Sequence, residues 1–445
     1  MTKSLLLRGG RVVTLDRSRR ILDADVLVED GRIRSIGRSD GPTAGRSKPA
    51  TIDCTGLVIL PGLVQAHIHL CQTLFRGLAD DLALERWLAQ RIWPLEAAHT
   101  EASIHASAML GAAELLLGGT TAILDMETVR HTGAAFEALE SIGLRATAGK
   151  CLMDAPSNPP ALREPADQAL TESADLCARW HGAAGGRLRY CFAPRFAPSC
   201  TGPLLRAVSD LAEHAGAVIH THAAETPLEL DIVKRETGHD EIAYLDSVGI
   251  SGPRTALAHC VWVDHGAIAR LARQGTNVVH CPSSNLKLGS GVAPVPEMLA
   301  AGCRVALGAD GAPCNNRLDG FAEMRLAALV HKPRLGPEAM PAGAVLELAT
   351  LGGARALGLE GEIGSIEPAK RADLIALDLE GPHAQPEEAD LVSRIVYSAR
   401  ASDVRHVIVD GRIVVRDGAL QTADLGEIRA AANREARRLR RAAGF

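Results

Sequence analysis

Short apolar runs alternate with helix-length segments through the middle of this chain, and this alternation constrains the fold more than any other feature. The runs lie at 58–70, 120–126, 144–154, 187–195, 217–225, 255–260, 276–281 and 303–310. The segments between them, such as PLLRAVSDLAEHAG and HGAIARLARQG, carry apolar residues at helical spacing and a glycine near the end. Eight strand–helix units over about 250 residues predict an α/β fold, the parallel (β/α)8 or TIM barrel.

The two ends of the chain carry a different pattern, in which short alternating strands are separated by tight turns. Examples are ADVLVEDGRIRSIG near the start and DVRHVIVDGRIVVRDG near the end. We therefore expect residues 1–57 and 365–445 to form one small β-sandwich domain with a C-terminal helix, beside a catalytic barrel of residues 58–364. The segment 39–49, SDGPTAGRSKP, predicts a flexible loop. The basic final helix predicts a solvated charged face.

Composition excludes several classes of partner. The net charge is −5 and only 3% of residues are aromatic, which argues against nucleic-acid binding. No apolar stretch is long enough to span a membrane, and the first residues do not have the pattern of a signal peptide. The ten cysteines contain no CxxC pair and are expected to be reduced, buried thiols. These features predict a cytoplasmic protein.

Ionisable residues stand at the ends of several predicted strands. In a strand, residues i and i+2 share a face and lie roughly 6.6 Å apart, so His67 and His69 project together. Catalytic residues of such barrels lie at the carboxyl ends of the strands. The further residues at these ends are His222, Glu225, His259 and Asp310. We expect all of them to meet at one rim of the barrel.

Three histidines and one carboxylate suit a site for a single divalent ion. Zinc takes such nitrogen and oxygen ligands and leaves a position for water, and iron(II) or manganese would also fit. The ion would lower the pKa of its bound water to near neutrality. Glu225 lies three residues beyond His222, close enough to act as a general acid–base in the same cavity. His259 could orient the water or stabilise developing charge.

Several stretches of the sequence resemble the amidohydrolase superfamily, and within it the cytosine, guanine and adenosine type of aminohydrolase. They are PGLVQAHIHLCQTLFRGLADD, HTHAAET, LAHCVW, HCPSSNLKLGSGVAPV and LGADGAPCNN. The resemblance implies that the metal ligands are His67, His69, His222 and Asp310. It also implies that Glu225 is the proton shuttle, that His259 lies near the hydrolytic water, and that Asp310 takes the first proton from that water. A homodimer or larger homo-oligomer is a further implication.

The segment LALERWLAQRIWPLEAA is similar to a stretch of the deaminases that act on S-adenosylhomocysteine, 5′-methylthioadenosine and 5′-deoxyadenosine. That similarity implies a ligand-facing tryptophan at Trp87 and a ribose-binding carboxylate at Glu96. The reaction implied is hydrolytic deamination of a 5′-modified adenosine to the inosine analogue and ammonia. The alternative is a purely structural role, in which Trp87 packs in the core and Glu96 is a surface charge.

One residue departs from that subgroup. Arg195, in APRFAPSC, stands where adenosylhomocysteine deaminases tend to have histidine, whereas guanine deaminases carry a similar arginine that binds the purine carbonyl. Arg195 could therefore face a carboxylate, a carbonyl or a hydroxyl of the substrate. Guanine deamination and hydrolysis of triazines, which share the scaffold, stay open as alternatives. His280 could line the pocket or be a core histidine.

Two other designs are disfavoured by the residues present. Some relatives hold two metals bridged by a carboxylated lysine at the end of strand four, where this chain has Arg195; Lys150 lies on strand three. One metal is therefore expected. A metal-free scaffold protein would have lost ligands, and here every ligand position is filled.

Overall fold

The computed structural model describes residues 4–38 and 49–445, so the predicted flexible loop lies outside the described residues except for Pro49. The strands, in chain order, are β1 (Ser4–Val13), β2 (Ile21–Glu29), β3 (Arg32–Gly37), β4 (Ala50–Asp53), β5 (Leu57–Pro61), β6 (Leu63–His69), β7 (Thr120–Met126), β8 (Arg145–Gly149), β9 (Cys151–Leu152), β10 (Leu188–Pro194), β11 (Val218–Ala223), β12 (Thr255–His259), β13 (Asn277–His280), β14 (Arg304–Leu307), β15 (Asp310–Gly311), β16 (Leu374–Asp378), β17 (Val404–Val409), β18 (Arg412–Arg416) and β19 (Ala419–Leu420).

Helices follow most of the central strands, as the alternation predicts. The main ones are Leu84–Trp87, Trp93–Ala97, Glu101–Leu117, Thr132–Ile142, Ala166–Trp180, Gly202–Ala215, Pro227–Thr237, Glu241–Ser247, His265–Gln274, Pro282–Lys287, Val295–Ala300, Ala312–Asn315, Gly320–Val330, Lys332–Leu335, Ala342–Glu347, Gly353–Ala356 and Leu425–Ala442. Several begin at a Thr or Asp whose side chain accepts from a backbone N–H of the first turn, as Thr201 does from Leu204.

The central strands form the predicted barrel. Their order is β14-β13-β12-β11-β10-β8-β7-β6-β15, and all the neighbouring pairs are parallel. The short strand β15 follows β14 and pairs with β6, with Asp310 opposite Ile68, so the sheet closes on itself. A Cβ on Gly308 would lie 2.8 Å from the carbonyl oxygen of His67, so only glycine lets the last strand pass this closely. The (β/α)8 architecture is confirmed.

The small domain is also confirmed, with one correction to the strand pattern. Strands from both ends of the chain pair in the order β19-β18-β17-β16-β5-β1-β2-β3, with β4 beside β1. The run 58–70, predicted as one barrel strand, is two strands, because β5 pairs antiparallel with β16 in the small sheet. The chain passes from one sheet to the other at Gly62, where a Cβ would lie 2.0 Å from the Thr121 hydroxyl.

The C-terminal helix Leu425–Ala442 packs against the barrel helix Glu101–Leu117. It buries Ile428, Ala432 and Leu439, and most of its arginines face solvent, as its charge pattern predicts. Among the described residues, no helix combines the length and the apolar character that crossing a membrane requires.

Candidate metal centre and substrate cavity

Four side chains from three strands converge at the carboxyl end of the barrel. His67 and His69 are the last inward-facing residues of β6, His222 lies in β11, and Asp310 begins β15. The Oδ1 atom of Asp310 is 3.2 Å from His67 Nε2 and 3.3 Å from His69 Nε2. The Nε2 atoms of His69 and His222 are 3.1 Å apart. Parallel strands bring their ends to one rim, and this explains why residues so distant in sequence meet.

The spacing of these donor atoms fits a divalent metal. Ligands at about 2.0–2.1 Å from a tetrahedral zinc ion lie roughly 3.3 Å from one another, close to the separations seen here. His67 Nε2 is buried and has no hydrogen-bond partner among the described residues. Burial lowers the pKa of His67 to about 4, although Asp310 acts in the opposite direction. A neutral imidazole with an unused lone pair beside a carboxylate is a donor set that a cation completes.

The other ring nitrogen of each histidine is engaged, and this fixes which nitrogen faces the centre. The Nδ1 atom of His69 is 2.8 Å from the carbonyl oxygen of Met126, and that of His222 is 2.5 Å from the carbonyl oxygen of Arg195. A carbonyl only accepts, so each Nδ1 carries the proton and donates it. The Nε2 lone pairs are thereby left free for a metal.

The sequence analysis did not identify His220, which contacts the Nδ1 atom of His67 as the two backbone carbonyls contact those of His69 and His222. Its Nε2 atom lies 2.8 Å from His67 Nδ1, and the residue is fully buried. When His67 Nε2 serves as a ligand, its Nδ1–H donates to His220 Nε2. The sequence His220-Thr221-His222 could have revealed this role, because residues 220 and 222 of a strand share a face just as 67 and 69 do.

Glu225 and His259 lie beside the converging donors. Glu225 Oε1 accepts a hydrogen bond of 3.1 Å from the Ser290 hydroxyl, and its Oε2 is 3.6 Å from His259 Nε2. His259 Nδ1 lies 2.8 Å from the side-chain oxygen of Asn285, which orients the ring. Burial, supported by the negative charge of Asp310, raises the pKa of Glu225 to about 7, although His259 opposes the shift. A carboxyl group with this pKa can both donate and accept a proton near neutral pH.

A cavity of about 380 Å³ opens above this cluster. Its floor includes His69, His222, Glu225, His259 and Asp310, and its walls are largely apolar, with contributions from Trp87, Leu88, Phe196, Pro198, Leu228 and Leu288. A concave, apolar pocket with a few convergent polar groups is the usual form of a small-molecule site.

The three predicted substrate residues are placed differently with respect to this cavity. Trp87 and Arg195 line it, whereas Glu96 does not. Glu96 lies behind Arg195, which contacts it through both terminal nitrogens, and also accepts a 2.9 Å hydrogen bond from Gln72. Burial would raise the pKa of Glu96, but the charge and hydrogen bonds of Arg195 outweigh it and lower that pKa. Glu96 is therefore not a surface charge, and it does not line the cavity directly.

His280, whose role the sequence left open, and Lys150 both lie outside the cavity. His280 is buried beside His331, at 5.8 Å between ring centroids, and is a core histidine. Lys150 is fully buried, and its amine lies 2.7 Å from Glu164 and 3.0 Å from Glu172. Because these carboxylates engage the amine, Lys150 is not placed to bridge two metals.

Comparison with known proteins gives a consistent picture. Residues 58–414 match the model of the Amidohydrolase family. A 5-methylthioadenosine/S-adenosylhomocysteine deaminase of Desulforudis audaxviator is 41% identical, over 98% of this chain and 99% of that protein. A 5′-deoxyadenosine deaminase of Methanothermobacter thermautotrophicus is 41% identical, over 95% of each chain.

The fold agrees with these relatives. The crystal structure of an adenosine deaminase from Xanthomonas campestris with bound zinc has a TM-score of 0.91 and 33% identity, over 99% of both chains. The match spans both the barrel and the small domain. The chain is therefore an enzyme that belongs to the amidohydrolase family.

Proposed function

We propose that this protein is a metal-dependent hydrolytic deaminase of 5′-modified adenosines. The observation that carries the proposal is the convergence of His67, His69, His222 and Asp310 at the floor of a cavity, with Glu225 beside them. Amide and amidine hydrolysis needs an activated water and a group that passes protons, and this arrangement supplies positions for both.

The donor set points to one divalent ion per chain, held by His67, His69, His222 and Asp310. Zinc is the ion we propose, because three imidazoles and one carboxylate suit it and a similar structure was crystallised with zinc. Iron(II) or manganese would satisfy the same donors. When bound, the ion would lower the pKa of water at the site to near neutrality.

The side chains around that water then divide the proton transfers. Asp310 accepts the first proton as the water oxygen bonds to the ring carbon that carries the amino group. Glu225, in its acid form, donates a proton to the adjacent ring nitrogen. His259, 3.6 Å from Glu225, stabilises the charge that develops on the attacking oxygen. Asp310 then passes its proton to the amino group, which leaves as ammonia, while the hydroxyl proton returns to Glu225 and a carbonyl remains on the ring carbon.

The substrate assignment follows from the cavity walls and from the named relatives. The relatives described above are deaminases of 5-methylthioadenosine, S-adenosylhomocysteine and 5′-deoxyadenosine. We propose that Trp87 packs against the nucleoside and that the Arg195–Glu96 pair provides polar groups for its sugar. The apolar walls fit a substrate whose 5′ position carries an apolar substituent.

Ammonia release from a panel of substrates tests the proposal. Zinc-loaded protein is incubated with adenosine, 5′-deoxyadenosine, 5′-methylthioadenosine, S-adenosylhomocysteine, guanine and a chlorotriazine. We expect a 5′-modified adenosine to give the highest kcat/KM. Reaction with guanine alone would contradict the assignment and point to Arg195 reading a purine carbonyl, and reaction with the triazine alone would assign a triazine hydrolase. Metal analysis accompanies the assay, since an enzyme should retain about one ion per chain and a scaffold protein none.

We further propose that the protein works in the cytoplasm as a homodimer or larger homo-oligomer. All ten cysteines are free and buried, as expected in a reducing compartment. Sedimentation of the purified chain would measure the oligomeric state, and a monomer would contradict this part of the proposal.

A further inference from the structure

Two buried glutamates that the proposed reaction does not use contact the segment that carries Glu225, and one of them, Glu229, also lines the cavity. Glu229 belongs to the helix Pro227–Thr237, and Glu241 begins the helix Glu241–Ser247; they are 6% and 1% exposed. Glu229 Oε2 accepts a 2.7 Å hydrogen bond from the backbone N–H of Glu225. Glu241 Oε2 accepts one of 3.0 Å from the backbone N–H of Ala224.

The second oxygen of each carboxyl group, Oε1, is buried and has no hydrogen-bond partner among the described residues. The two carboxyl groups also influence each other's pKa, and burial raises the pKa of both. An ionised carboxylate only accepts hydrogen bonds, so two of them can bond to one another only through a proton. Within the described ranges 4–38 and 49–445, no ion pair includes either residue, so no cation compensates two negative charges there.

We infer that Glu229 and Glu241 share one proton and that the pair is a positioning element for Glu225, an inference that rests on the proposed deaminase function. Glu241 and Glu229 accept hydrogen bonds from the consecutive backbone N–H groups of Ala224 and Glu225. Ala224 has a left-handed backbone, with φ at 52°, a conformation that costs free energy unless its surroundings hold it. The pair supplies that support, and the Glu225 side chain is thereby directed at Ser290 and His259.

Charge gives the pair a second effect on Glu225. With one shared proton it carries a single negative charge close to the Glu225 carboxyl. Burial is the main reason that the Glu225 pKa is raised, and Asp310 and Glu229 raise it further, while His259 lowers it. These are the charged groups that face Glu225. Removing the charge of the pair should therefore favour ionisation of Glu225 and move the alkaline fall in kcat to lower pH.

Two glutamine variants separate the shared proton from a purely structural role. In Glu241→Gln the amide N–H takes the place of the shared proton, so the hydrogen bond and the single negative charge are kept. We expect its kcat to fall at the same pH as in the wild type. The double variant Glu229→Gln/Glu241→Gln keeps the side-chain volume but not the charge. We expect its kcat to decline at a lower pH than that of the wild type. If kcat fell at the same pH in all three proteins, the inferred effect of the pair's charge on Glu225 would be overturned, because a merely structural pair would alter stability alone.

Infrared difference spectra test the shared proton without any substrate. The wild type minus Glu241→Gln spectrum at neutral pH should show the loss of one protonated carboxyl band, whereas the exposed control Glu213→Gln should show none. Loss of an ionised carboxylate band instead would overturn the inference. Because this readout does not need turnover, failure of the deaminase assignment would show in the substrate panel, and failure of the shared proton would show here.

The support of the Glu225 backbone is tested by removing the acceptor. Glu229→Ala leaves the N–H of Glu225 unpaired in a buried site, and we expect kcat to fall about tenfold or more while KM changes less. Metal content measured on the same sample shows whether the centre is intact. A metal-loaded Glu229→Ala protein with wild-type kcat would contradict the inference.

Discussion

Arg195 and Glu96 form a buried, two-point ion pair. Arg195 Nη1 is 2.7 Å from Glu96 Oε2, and Nη2 is 3.2 Å from Oε1. The side chains are 6% and 1% exposed. The sequence singled out each residue separately as a candidate for substrate binding, and the structure makes them one unit in which only the arginine reaches the cavity. Whatever Arg195 contacts in a substrate, its charge is already balanced, which favours neutral polar groups over a carboxylate.

Breaking this pair should destabilise the fold strongly. Arg195→Met leaves Glu96 buried without a counter-charge, and removal of one partner from a buried pair costs about 3–5 kcal/mol. We therefore expect the midpoint of urea-induced unfolding to fall. The double variant Arg195→Met/Glu96→Gln removes the uncompensated charge and should recover much of the loss.

An exposed ion pair provides the control for that experiment. Lys234 and Asp240 are 3.1 Å apart, with side chains 58% and 76% exposed. Lys234→Met should cost less than about 1 kcal/mol, because solvent screens such pairs. Equal losses for Lys234→Met and Arg195→Met would show that Glu96 gains its stability from groups other than Arg195.

Glu225→Gln should separate proton transfer from metal binding. The amide can still accept from Ser290, but it cannot act as an acid, so we expect kcat to fall by about 10²–10⁴-fold. Zinc content should stay at about one ion per chain, since Glu225 is not among the four converging donors. Near-normal turnover in a metal-loaded variant would rule out the shuttle role.

The raised pKa of Glu225 gives a signed pH dependence. Its acid form is needed for donation, so kcat/KM should decline as pH rises through about 7. The stability of the metal-free protein follows the same direction. A carboxyl whose folded pKa is above its unfolded value of 4.5 contributes stability below pH 4.5, and that contribution is lost as pH rises to about 7.

The glutamine variant checks the stability part of that argument. A shift from 4.5 to about 7 corresponds to about 3 kcal/mol of destabilisation at pH 8, and to less at pH 5. Replacing Glu225 by Gln in the metal-free protein should therefore raise the unfolding midpoint more at pH 8 than at pH 5. An equal effect at the two pH values would mean that the group is ionised in the folded protein throughout.

The barrel could be predicted because its signals are local. Each strand shows as an apolar run, and the period of two places His67 and His69 on one face. The shared rim of parallel strands then brings together His222 and Asp310 without any knowledge of packing. Strand ends were the least certain part: the run 58–70 spans two sheets, and the Pro61-Gly62 dipeptide inside it, a turn signal, marks the crossing.

The Arg195–Glu96 pair could not be predicted, because nothing local connects the two residues. They are 99 positions apart, and neither the period of a strand nor that of a helix relates them. Glu96 lies in the short helix Trp93–Ala97 and Arg195 directly follows β10, so only the tertiary structure brings the two side chains together. The pairing of Glu229 and Glu241 could not be predicted for the same reason, because the two residues belong to different helices.

His220 provides a last test, directed at the metal centre itself. His220→Phe leaves His67 Nδ1–H buried without an acceptor, and loss of such a supporting bond typically weakens metal binding about 10–100-fold. Competition with a chelator measures the zinc affinity. His220→Gln can place a side-chain oxygen near the lost Nε2 and should recover part of the affinity, whereas the exposed His105→Phe should behave as wild type. Unchanged affinity in His220→Phe would mean that His67 is oriented by its strand alone, and that His220, the first histidine of the His-Thr-His stretch, fills space without serving the centre.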